Sequence, residues 1–114
     1  MTEWNATDYS ATGLMVLGKQ VLDCMNQDFN AYVYWWMTAS GNGVISTTGT
    51  PNKYGYIISQ FAKYVRPGYY RVDATYNPQS GVYVIAFKGD GNYVIVTVNN
   101  STSLKTQQFT LGGF

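Results

Sequence analysis

Apolar residues recur at three- and four-residue spacing between residues 8 and 26. Leu14, Leu17, Val21, Cys24 and Met25 share one side, while Lys19, Gln20 and Asp23 fall on the other. That period predicts an amphipathic helix, with Ser10 or Thr12 as candidate caps. Asn26-Gln27-Asp28 then breaks the pattern. Residues 29 to 37, Phe-Asn-Ala-Tyr-Val-Tyr-Trp-Trp-Met, make a nearly continuous apolar and aromatic run, as expected of a strand buried on both faces. Alternation sends Tyr32, Tyr34 and Trp36 to one side and Val33, Trp35 and Met37 to the other. One tryptophan should therefore line a cavity and the other pack beneath helices. Residues 38 to 52, rich in Gly, Ser, Thr and Asn, read as a long loop. A second helix is predicted over 53 to 64, with Ile57, Ile58, Phe61, Tyr64 and Val65 on its apolar side, and Pro67-Gly68 ends it.

The second half changes period. Residues 69–75, 81–88, 93–99 and 107–111 read as strands separated by turn clusters, the pattern of an antiparallel meander. In the second of these, Val82, Val84 and Ala86 face one way and Tyr83, Ile85 and Phe87 the other, so both faces are apolar enough to be covered. Helix, buried strand, loop and helix belong to the α/β class, and a single strand cannot make a sheet. The switch from α/β to all-β near residue 67 marks either a domain boundary or two closely packed pieces.

Composition narrows what such a chain can do. Its 114 residues suffice for one domain with a core, and charged residues are only 11%. The net charge is +1, with five Lys and two Arg scattered along the chain. This argues against nucleic acid and anionic membrane surfaces as partners, since phosphate binding needs clustered basic charge. No apolar segment approaches the roughly 20 residues of a membrane span, and no signal peptide is visible. A chain with no histidine cannot build a Ser-His-Asp triad or an imidazole metal site. With one cysteine it has no internal disulfide, and Cys24 reads as a buried structural thiol. No cofactor or metal is implied. Aromatic residues reach 17%, including 11 Tyr and 3 Trp, which suits both sheet cores and carbohydrate contact.

Few candidates for chemistry remain. The only glutamate is Glu3, and no partner carboxylate for it is evident among Asp8, Asp23, Asp28, Asp73 and Asp90. Sugar hydrolysis needs two carboxylates, so by its own surroundings Glu3 is either an ordinary terminal carboxylate or half of a site. Trp35-Trp36 says more. In an α/β barrel the C-terminal ends of the strands open onto the active site, and this pair ends the aromatic run. The Gly41-Asn42-Gly43 loop lacks the Gly-Lys-Ser/Thr ending of a phosphate cradle and is better read as a loop bordering a site.

Three longer segments carry a resemblance: Ala31 to Met37; Lys53-Tyr54-Gly55-Tyr56 through Gln60 to Tyr69; and Val72-Asp73-Ala74-Thr75 with Val82-Tyr83-Val84 through Ala86-Phe87-Lys88-Gly89-Asp90. In that order and spacing the chain resembles glycoside hydrolase family 30, in its bacterial endo-β-1,4-xylanase (glucuronoxylanase-like) branch, and specifically the C-terminal portion. The resemblance implies the end of a (β/α)8 barrel in residues 1–66, followed by part of an antiparallel side β-sandwich in 67–114. Residues 8 to 26 become the seventh barrel helix, 29 to 37 the eighth strand and 53 to 64 the eighth helix. Met1-Thr2-Glu3 matches the segment that carries the retaining nucleophile, so Glu3 takes that role by resemblance. Trp4, Trp35 and Trp36 become the substrate-facing aromatics. The family's acid/base glutamate lies upstream of anything in this chain. Implied partners are xylan or xylo-oligosaccharide and the missing N-terminal barrel portion, with a secreted parent enzyme.

Two departures stand out. Trp4 follows Glu3 where this branch often has His. Residues 38 to 52 hold no arginine, whereas members that require a glucuronic acid branch carry one there. The second departure favours a xylanase that does not depend on glucuronate. By the same resemblance the isolated chain, which lacks six barrel strands and the proton donor, is expected to be inactive. The reading from another class is a free-standing β-rich carbohydrate-binding or interaction module. A family 30 glycosidase for another substrate, such as a β-glucosyl compound, is the third.

Overall fold

In the computed structural model, which describes Asp8 and residues 10–112, Ser10 opens the first helix. Its side chain accepts from the Gly13 N–H at 3.1 Å and caps α1 (Ala11–Asn26). Leu14, Leu17, Val21, Leu22 and Cys24 form the buried side of α1, and Lys19 stays partly exposed on the other side. The helical period thus places the side chains as the sequence predicts, although the helix begins three residues later than expected. The second helix, α2 (Lys53–Ala62), starts at Asn52, whose side-chain oxygen accepts from the Tyr54 and Gly55 N–H groups.

The strands are β1 (Tyr70–Val72), β2 (Val82–Gly89) and β3 (Asn92–Asn99), in sheet order β1-β2-β3 and antiparallel throughout. β2 and β3 meet through Asp90-Gly91, whose φ values of 50° and 72° suit the two-residue hairpin turn that matches strand twist. Ile85 and Phe87 of β2 and Val96 and Val98 of β3 join Leu14, Leu17, Val21 and Leu22 of α1 and Tyr54 and Phe61 of α2 in one apolar cluster. That cluster draws residues from both sides of the composition change near residue 67. The opposite face of β2 is also covered, and Val82, Val84 and Ala86 are buried.

Two expected strands form no ladder. Residues 107–111 instead run past the outer face of the sheet, bounding with Val72, Val84, Ala86 and Ile95 a cavity of about 530 Å³. Residues 29–37 have no sheet partner among the described residues, and only an isolated bridge joins Thr38 to Ile45. An apolar run becomes a strand only when neighbouring strands satisfy its backbone groups, and no such neighbour lies beside it here.

A polar knot ties α1 to the β half. Lys19 Nζ donates to Asp23 Oδ2 at 2.6 Å and to the Tyr76 hydroxyl at 3.2 Å, and sits 4.5 Å from the centre of the Tyr83 ring. Tyr76 in turn donates to Asp23 Oδ1. The bond to Asp23 raises the Lys19 pKa above its ordinary 10.5, and burial followed by the bond to Asp23 raises Tyr76 above 10.0. Burial pushes the Tyr32 phenol up further, and its hydroxyl has no hydrogen-bond partner. All three groups hold their protons more tightly when folded, so their contribution is whole below pH 10 and is lost as pH rises through the raised values. Thermal denaturation should therefore show stability falling above about pH 10, with a shallower fall in Tyr32→Phe and Tyr76→Phe. An unchanged slope in both variants would refute the assignment.

Candidate functional site

The site is built around the end of the aromatic run. Tyr32 and Tyr34 turn inward and pack against the apolar cluster, while Val33 on the opposite side is exposed. Beyond them Trp35 is 39% exposed, Trp36 47% and Met37 66%. The Trp35–Trp36 peptide is cis, and the two indoles lie 4.5 Å apart at 46°. Neither tryptophan packs beneath the helices, which corrects the expected division of the pair. Strict alternation holds only in a regular strand, and these residues are not in one.

The loop that follows doubles back onto this pair. Val44 N–H donates to the Trp36 carbonyl at 3.0 Å, Ile45 N–H to the Met37 carbonyl at 2.9 Å, and Asn52 N–H to the Val44 carbonyl at 3.2 Å. The Tyr34 hydroxyl donates to the Asn42 carbonyl at 3.0 Å. Gly43 and Gly55 allow the close approach. A Cβ at Gly43 would stand 2.4 Å from the Ala39 nitrogen, and one at Gly55 would stand 2.4 Å from the Val44 oxygen. Residues 38 to 52 are thus a folded brace, where sequence pattern suggested only a loop.

Tyr54 links this brace to the chain's beginning. It is 2% exposed, stacks on Tyr34 with centroids 5.9 Å apart, and donates its hydroxyl to the Asp8 carbonyl at 3.1 Å. Asp8, five residues after Glu3 in sequence, is therefore anchored beside the base of the aromatic run. Its carboxylate accepts from the Ser10 N–H at 2.9 Å, which lowers its pKa. Glu3 and Trp4 lie outside the described residues. Of the four predicted site residues, the structure therefore brings together Trp35 and Trp36. Asn52 and Tyr54 escaped the sequence reading, although Asn immediately before a helical pattern is a recognisable cap signal.

The remaining acidic groups are engaged elsewhere or lie in the β half. Asp23 is bound to Lys19 and Tyr76, Asp28 Oδ1 accepts from Arg71 Nε at 2.9 Å, Asp90 sits in the hairpin turn, and Asp73 is exposed. A cavity of about 750 Å³ among the described residues does not include the tryptophans. It lies between the ends of α1 and α2 and the start of the aromatic run, and its lining includes Tyr32, Arg66 and Arg71. No helix among the described residues is long and apolar enough to cross a membrane.

No protein-family model matches the chain. Two curated glucuronoxylanases XynC of Bacillus subtilis are similar to it. One is 49% identical and the other 46% identical over 84 residues, covering 74% of this chain and 20% of each relative. Among solved structures, a glycoside hydrolase family 30 subfamily 8 xylanase from Clostridium acetobutylicum superposes with a TM-score of 0.84 at 42% identity. That match covers 90% of this chain and 27% of the other. A family 30 endoxylanase from Clostridium papyrosolvens gives 0.81 at 46% identity, covering 87% and 26%. The chain spans 20% of the length of the curated relatives it matches.

Proposed function

We propose, on the premise that the chain is homologous to part of the glycoside hydrolase family 30 xylanases, that it supplies the C-terminal portion of a retaining xylanase. Residues 1–66 are read as the end of a (β/α)8 catalytic barrel and residues 67–114 as part of its side β-sandwich. The kinship in sequence and structure carries this reading. The bare positions on either side of the tryptophans support it: Val33 and Met37 are exposed, where an upstream barrel portion would cover them. That exposure also counts against a free-standing binding module, because a monomer rarely leaves such a patch open.

In this reading Glu3 is the nucleophile. Its carboxylate attacks the anomeric carbon of a xylosyl unit while an acid from the upstream portion protonates the departing glycosidic oxygen. The acid, now a base, takes a proton from water, which displaces Glu3 and releases the sugar with its configuration retained. Trp4, Trp35 and Trp36 offer flat apolar faces to the sugar rings. The substrate is xylan, and the parent enzyme acts outside the cell.

The test joins this chain to the upstream barrel portion of a homologous family 30 xylanase and measures release of reducing xylo-oligosaccharides. The joined protein should hydrolyse xylan and the 114-residue chain alone should not. Hydrolysis by the chain alone would overturn the proposal. A second outcome concerns side chains. A site built around an arginine–carboxylate pair rejects a substrate lacking the carboxylate by orders of magnitude. Residues 38 to 52 hold no arginine, so unbranched xylan and glucuronoxylan should be cleaved at similar rates. Strict dependence on glucuronate would refute that part.

A further inference from the structure

We infer that Asn52 is a positioning residue for the Trp35–Trp36 pair, working through the brace of residues 38 to 45. The side chain serves two masters. Its oxygen accepts from the Tyr54 N–H at 3.0 Å and the Gly55 N–H at 3.2 Å, which caps α2. This fixes the amide's orientation, since only an acceptor can meet those two donors, and leaves the Nδ2 group to donate to the Gly43 carbonyl. The backbone of Asn52 holds the Val44 carbonyl at 3.2 Å, and the Val44 N–H holds the Trp36 carbonyl at 3.0 Å. Three hydrogen bonds therefore connect the first turn of a rigid helix to the peptide that carries the exposed indoles. Gly55 lets the brace sit directly on the helix.

The two functions of the side chain can be separated. Aspartate caps a helix about as well as asparagine but has no N–H to offer Gly43. Asn52→Asp should keep α2 and the overall fold while freeing the brace. Two tryptophans 4.5 Å apart couple their transitions, so the far-ultraviolet circular dichroism of this chain should carry an exciton couplet. Trp36→Phe identifies that signal by removing it. In Asn52→Asp the couplet should lose most of its amplitude, with the melting temperature within about 3 °C of the parent. Gly55→Ala, which pushes on the Val44 oxygen from the other side, should weaken the couplet by an independent route. An Asn52→Asp chain that keeps the full couplet would overturn the inference, leaving Asn52 a helix cap and nothing more.

The consequence for substrate rests on the reading under Proposed function, and a separate measurement decides it. In the protein joined to an upstream barrel, Asn52→Asp should raise KM for xylo-oligosaccharides more than it lowers kcat. A lost couplet with unchanged KM would uphold the positioning role and refute the tryptophans as the sugar platform.

Discussion

Glu3→Gln in the protein joined to an upstream barrel is expected to lower kcat/KM on xylan by at least about 10⁴-fold, the scale seen when a covalent nucleophile is removed. Glutamine keeps the shape of the side chain but cannot form the glycosyl ester on which a retaining reaction depends. Three of the other carboxylates have partners of their own. Asp23 and Asp28 are committed to cationic partners, and the Asp8 carboxylate caps the turn before α1. The measurement has a positive counterpart. With Glu3→Ala, an activated aryl xyloside and added azide, the small anion can occupy the vacated space, attack the anomeric carbon and expel the phenolate. The product would be a glycosyl azide of inverted configuration. Near-parental activity in Glu3→Gln would remove Glu3 from the chemistry, whatever the kinship of the fold.

The largest effect on stability is expected at Leu17. This side chain is completely buried, on the side of α1 that meets both α2 and the β2–β3 hairpin. Leu17→Ala removes three heavy atoms from a point where three elements converge, so no single element can shift to fill the gap. A loss of about 2–5 kcal/mol follows from core truncations of this kind. For a domain of this size that lowers the melting temperature on the order of 10–25 °C. Val16→Ala, on the exposed side of the same helix, is the control and should move it little. A shift at Leu17 no larger than at Val16 would mean that α1 does not pack on the sheet as described.

How much of this was legible in the sequence depended on how local the determining contacts are. The period of Leu14, Leu17, Val21 and Cys24 identified the buried side of α1, because a helix satisfies its own backbone. The β2–β3 hairpin was legible for the same reason, although Gly89 and Asn92 belong to the strands and only Asp90-Gly91 turns. The aromatic run and residues 107–111 read as strands but form no ladder among the described residues, since a strand is defined by partners elsewhere. Trp36 shows the limit most plainly: alternation set it on the side of Tyr32 and Tyr34, which turn inward, yet its own surroundings leave it half open. The brace of residues 38 to 52 was invisible because its order comes from glycine backbone approaching α2 and from one asparagine reaching back nine residues. The nucleophile assignment came from resemblance alone, as nothing around Glu3 in the sequence distinguishes it from a terminal carboxylate.

The chain's single thiol has a use that follows from where it is kept. Cys24 lies on the buried side of α1, close to the Tyr32 phenol, and has no disulfide partner. A thiol reagent can reach it only when the start of the aromatic run lifts or α1 detaches. Its labelling rate is therefore a clock for local opening, read without any engineered probe. Docking of an upstream barrel onto Val33 and Met37 should slow that clock. Sugar that merely rests on the exposed indoles should leave it running.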